Sequence, residues 1–100
     1  METGRLSLQD SVHVSQDVVF REMDGEAVLL HLGTGIYFGL NEVGTRIWSL
    51  LQQEASLQKV FDQLLAQYDV SPKQLQDDLL ALVSQMCDKG LVHEHLPTPV

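Results

Sequence analysis

Two periodicities divide the chain. From residue 18 to 40 the pattern is that of strands, and from 42 onward apolar positions recur every third or fourth residue. The stretch VVFREM, residues 18–23, is rich in branched and aromatic residues. Asp24-Gly25 follows, a hairpin signal because both residue types tolerate positive φ. EAVLLHL, residues 26–32, is the returning strand. It sets Val28, Leu30 and Leu32 on one face and Ala27, Leu29 and His31 on the other. GTG at 33–35 makes a second turn, and IYFGL at 36–40 a third strand. Short loops make these three strands a meander.

The helical regime begins without a linker. Asn41 is a good N-cap, since its side-chain oxygen can accept from unpaired backbone N–H groups, and Glu42 suits the first turn of the helix dipole. Val43, Ile47, Leu50 and Leu51, with Trp48 beside them, predict a helix over 42–53. Ser56 opens another, with Leu57, Val60, Phe61, Leu64 and Leu65 as its stripe, ending near Tyr68-Asp69. Ser71-Pro72 is a further N-cap and N1 pair, and the helix it starts stops at Gly90, a C′ residue. Trp48 and Phe61 are assigned to the core.

Strands first and helices afterwards indicate an α+β domain: a three-stranded antiparallel sheet followed by a three-helix bundle, with a winged-helix-like order. The predicted domain spans 15–93, between a loosely ordered N-terminus, 1–14, and a flexible C-terminus, 94–100. Within these ends VHV at 12–14 could form a short strand, and LVHEH at 91–95 a short strand or a docked tail.

The last helix is unusually broad in its apolar arc. At about 100° per residue, Leu75, Leu79, Leu82 and Met86 fall close together, and Leu80, Val83 and Cys87 widen the arc sideways. Either two core layers share it, or one margin lines a groove.

Composition narrows the partners. The chain has 100 residues, 44 % of them hydrophobic, and a net charge of −8. That suffices for one domain with a core. Its six Lys and Arg form no cationic face of the kind that displaces counterions from phosphates, so neither nucleic acid nor an anionic membrane is an expected partner. A basic peptide or protein would be favoured electrostatically. Cys87 is the single cysteine, no stretch has the make-up of a signal peptide, and no apolar run reaches the ~20 residues of a membrane span; a cytoplasmic protein is expected.

Candidate chemistry is sparse. His93 and His95 form an HxH, but neither His31 nor Cys87 stands at a recognised ligand spacing from them. Cys87 has no evident activating base and reads as a structural thiol. Asp77 and Asp78 are adjacent on a helix and point about 100° apart, which does not suit paired acid–base work. GTGIYFG lacks the Lys-Ser/Thr of a phosphate loop and leads into a strand, whereas a phosphate loop leads out of one. Gly39 removes a side chain just before the third strand ends, marking a bulge or a place where another backbone comes close. No catalytic residues, metal or cofactor are assigned.

DGEAVLLHLGTGIYFGLNEVGTRIWSLL (24–51), YDV (68–70) and DLLALVSQMCDKGLV (78–92) together resemble the PqqD-like family, with YFGLNEVGTRIW the most specific run. The resemblance implies a peptide chaperone, the recognition element of ribosomally made, modified peptides. Such a domain binds the leader of a precursor and presents it to a radical SAM enzyme or a leader peptidase. It further implies that the leader adds as a strand beside the third strand, against the third helix. On this chain the edge would be Ile36, Tyr37, Phe38, Gly39 and Leu40, and the groove wall Leu75, Asp78, Leu79 and Leu82. An edge strand offers unpaired N–H and C=O groups to an incoming chain. The same edge is where a second copy could pair into a homodimer. The competing readings are a winged-helix DNA-binding regulator, disfavoured by Lys73 and Lys89 standing against Asp77, Asp78 and Asp88; a small enzyme using the histidines or Cys87; and an assembly module that docks an enzyme without holding a peptide.

Overall fold

Asp24 and Gly25 both adopt positive φ, 55° and 83°, the turn whose twist matches that of two antiparallel strands. It joins the central hairpin of a computed structural model that describes residues 6–95. In chain order the elements are β1 (Ser11–Val14), β2 (Val18–Met23), β3 (Glu26–His31), β4 (Tyr37–Leu40), α1 (Glu42–Gln53), α2 (Leu57–Gln67), α3 (Pro72–Asp88) and β5 (Val92–His95). The antiparallel sheet has the order β2-β3-β4, with Phe20 opposite Leu29 and Leu29 opposite Phe38. The predicted α+β meander and three helices are therefore present.

Of the two faces that β3 offers, the structure buries Ala27 and Leu29, and leaves Val28 and Leu32 exposed. The smaller Ala27 lets α1 approach the sheet, and α1 packs on β3. β3 ends at His31 because its ring folds over the turn: Nδ1 accepts from the N–H of Gly33 at 3.1 Å and of Thr34 at 3.3 Å.

Each helix starts at its predicted cap. Asn41 Oδ1 accepts from Gly44 N–H at 2.8 Å, and the hydroxyls of Ser56 and Ser71 accept from Lys59 and Gln74 N–H at 3.3 Å. The direct join between β4 and α1 depends on Gly44. A Cβ there would sit 3.2 Å from Leu40 Cδ2, tighter than an ordinary contact, so glycine lets Leu40 pack against the first helical turn without shifting. Trp48 and Phe61 are buried with Ile47, Leu57, Leu64, Leu79 and Met86 in a single core between sheet and helices.

The short strands considered at 12–14 and 91–95 are both present, and they pair with each other: Ser11–Val14 runs antiparallel to β5, Val14 opposite Val92. Val12 N–H also donates to Ala55 C=O at 3.0 Å, and Ser11 bridges Ser56. Val12, Leu91 and Val92 are fully buried. The partner of β1 lies about eighty residues away, a pairing that local pattern does not encode. Glu94 and His95 likewise belong to β5 and not to a flexible tail, whereas 96–100 lie outside the described residues.

Candidate functional site

The backbone parity of β4 decides what its free side presents. His31 N–H donates to Ile36 C=O at 2.9 Å, and antiparallel pairs alternate between bonded and non-bonded. The backbones of Phe38 and Leu40 therefore turn toward β3, while the N–H and C=O of Tyr37 and Gly39 turn outward. No strand among the described residues covers them, because β4 ends the sheet and β5 pairs with β1.

Beside this edge lies a cleft of ≈ 520 Å³ between β4, the first turns of α1 and the middle of α3. Phe38 and Leu40 form one wall, Val43 and Ile47 the floor, and Asp78, Leu82 and Gln85 the opposite wall. Gly39, Asn41 and Gly44 complete it. The cleft thus brings together Phe38, Gly39, Leu40, Asp78 and Leu82 of the predicted site.

Leu75 and Leu79 are not part of its wall. They belong, with Val83 and Met86, to the buried stripe of α3 and are 5 % and 0 % exposed. Residues 78, 82 and 85 follow the neighbouring margin, set off from that stripe by a fraction of a turn. Ile36 lies outside the cleft, half-buried, with its carbonyl already bonded to His31. The Tyr37 side chain is 70 % exposed on the opposite face of the sheet, so only its backbone belongs to the edge. Asn41, Val43, Gly44, Ile47 and Gln85 were not foreseen. Val43 and Ile47 carry the same helical spacing as core residues, and nothing local distinguishes a cleft floor from a core.

The cleft's charge comes from Asp78. Asp77 is paired with Lys73 at 3.3 Å, whereas Asp78 accepts a hydrogen bond from Gln74 Nε2 at 2.9 Å and makes no ion pair among the described residues. Its negative charge remains available to a cationic group entering the cleft.

The residues singled out for other chemistry lie apart. Cys87 is half-buried on the far margin of α3, and desolvation, then the charges of Glu94 and Asp88, push its thiol above the ordinary 9.0. That is the opposite of an activated nucleophile. His13 and His93 face each other across β1 and β5 with ring centroids 5.5 Å apart, while His31 is held at its turn. Among the described residues no group of three or more His, Cys, Asp or Glu is placed to hold a metal ion, and no helix is long and apolar enough to cross a membrane.

Residues 26–92 match the family model of coenzyme PQQ synthesis protein D (PqqD). Two solved structures share the fold. One is TbiB1 in complex with the TbiA(beta) leader peptide: 38 % identity, TM-score 0.77, over 85 % of this chain and 99 % of that one. The other is a lasso peptide synthetase B1 complexed with the leader peptide: 25 % identity, TM-score 0.72, over 87 % of this chain and 99 % of that one. No curated protein is significantly similar in sequence.

Proposed function

The chain belongs to the PqqD family, and from that premise we propose that it is a non-catalytic chaperone for the leader of a ribosomally made precursor peptide. The observation that carries the reading is the β4 edge, which no strand among the described residues covers, standing beside a cleft with an apolar floor. An extended leader pairs with the outward backbone groups of Tyr37 and Gly39, which supplies affinity with little dependence on sequence. Alternate leader side chains drop between Phe38 and Leu82, and a basic residue of the leader meets Asp78. The edge is anchored to α1 through Leu40 and Gly44, so little of the protein has to be ordered when the peptide docks.

The chain presents the held leader to a separate modifying enzyme. Likeness to a lasso peptide synthetase B1 favours a leader peptidase over a radical SAM protein in that place. The acidic balance and the Asp residues of α3 speak against duplex binding.

The test is calorimetry of the full chain with the leader of a precursor encoded beside it, and with the TbiA(beta) leader as a second probe. Saturable binding that shifts the amide resonances of Tyr37 and Gly39 is expected. A chain that binds the peptidase but no leader would instead be an assembly module.

A further inference from the structure

Local spacing gives the HxH of His93 and His95 no further ligand, but the fold supplies one from the other end of the chain. β1 and β5 pair in a register that sets His13 directly opposite His93. Their ring centroids are 5.5 Å apart and the rings are tilted by 39°. Both residues are exposed, and each follows a fully buried valine, Val12 and Val92. Strand alternation therefore puts the two imidazoles on the solvent side of the small sheet and the valines on its core side. Ser11 and His95 are the next pair but one in the same register.

We infer that His13 and His93 form a two-histidine site for a divalent transition metal ion of the kind imidazole prefers, Zn²⁺, Ni²⁺ or Cu²⁺. The ring spacing carries the inference. With a metal–nitrogen bond of about 2.0 Å the ion stands about 3.2 Å from each ring centroid, and at a tetrahedral angle the two centroids are then about 5.2 Å apart. The observed 5.5 Å differs by only a few tenths of an ångström, so small side-chain rotations close the site and the strands need not move. The backbone around His13 is already held: Val12 N–H donates to Ala55 C=O at 3.0 Å, and Ser15 N–H to Leu91 C=O at 2.9 Å. Little has to be ordered when the ion arrives. Each imidazole binds through one nitrogen and keeps the other for a hydrogen bond. Two protein ligands leave the remaining positions to water, an open site unlike the closed four-ligand kind. That agrees with the absence, among the described residues, of any group of three or more His, Cys, Asp or Glu placed for a metal. The net charge of −8 favours a cation. An ion held by residues 13 and 93 ties the first strand to the last and closes a loop of about eighty residues, which restricts the unfolded chain. The sheet that carries it is separate from β2-β3-β4, so the inference stands or falls apart from the leader-binding reading.

The experiment melts the full chain, free of any histidine tag, with excess Zn²⁺, with Mg²⁺ and with EDTA, followed by Trp48 fluorescence. Zn²⁺ is expected to raise the melting temperature by about 5 °C, as a ligand bound only by the folded state does, and EDTA to reverse the rise. Mg²⁺, which takes oxygen ligands, should have no effect. His13→Gln and His93→Gln should each lose the rise; each variant is compared with and without metal, so a change in its own stability cancels. His13→Gln decides the matter, because it keeps His93 and His95 together. A full rise in that variant assigns the metal to the HxH alone and overturns the cross-strand pair. Imidazole proton resonances of the native chain give a second reading that needs no substitution. Those of His13 and His93 should move together and saturate at one Zn²⁺ per chain, while those of His31 stay. No melting shift with Zn²⁺, or movement of His31 or His95 without His13, overturns the inference.

Discussion

At the scale of residues, Gly39 and Phe38 are neighbours with opposite backbone duties. Gly39 N–H points away from the sheet, so on the proposed pairing Gly39→Pro removes one hydrogen bond to the leader and none within the protein. A net hydrogen bond is worth about 1 kcal/mol. Leader affinity should fall about fivefold to tenfold by calorimetry while the circular dichroism melt is nearly unchanged. Phe38→Pro removes an N–H bonded to β3 and should lower the melting temperature first, which makes it the wrong probe of binding. Asp78→Ala isolates the charge of the cleft: a leader with a basic residue should bind severalfold more weakly, and a neutral leader equally well. Cys87 has a raised pKa, so less thiolate is present at neutral pH than in the unfolded chain. Iodoacetamide should alkylate the native thiol more slowly than the thiol of the denatured chain. Above pH 9 the folded state holds the thiol proton more firmly than the unfolded state, so the contribution of Cys87 to stability is lost as pH rises through its folded value.

At the scale of elements, β4 and α1 act as one unit. Asn41 caps the helix with a 2.8 Å bond to Gly44 N–H, and the same short segment ends the binding edge. Asn41→Ala should cost about 1 kcal/mol of stability, read as a lower urea midpoint of Trp48 fluorescence with an unchanged slope. It should also weaken leader binding, because fraying of the first helical turn disturbs Leu40. β1 is the other element with a measurable duty. Val12 is fully buried, and Val12→Ala removes two methyl groups for a loss of about 2 kcal/mol. That loss should lower the unfolding midpoint without changing leader affinity, since β1 and β5 form a sheet separate from the one that ends in β4.

At the scale of the whole molecule, the charge of −8 acts on encounter more than on the bound contact. For a basic leader the association rate should fall severalfold between about 0.05 and about 0.5 M salt, where the screening length drops below about 5 Å. The dissociation rate should change less, because outward backbone pairing and the apolar cleft hold the peptide. Stopped-flow fluorescence separates the two rates.

Sequence alone determined the elements. Turn chemistry at Asp24-Gly25, caps at Asn41, Ser56 and Ser71, and the switch from strand to helical spacing are local, and local physics decides them. Phe38, Gly39, Leu40, Asp78 and Leu82, which line one cleft, were legible as a candidate site only through the family resemblance together with the edge position of the third strand. Tertiary structure decided the rest. It chose Ala27 and Leu29 over Val28 and Leu32 as the inner face, because α1 had to approach β3. It moved Leu75 and Leu79 from the groove wall into the core, since the stripe of a helix is broad and only its packing partner says where core ends and cleft begins. It recruited residues 11–14 and 92–95 into one small sheet, a contact between chain ends that no local spacing can announce.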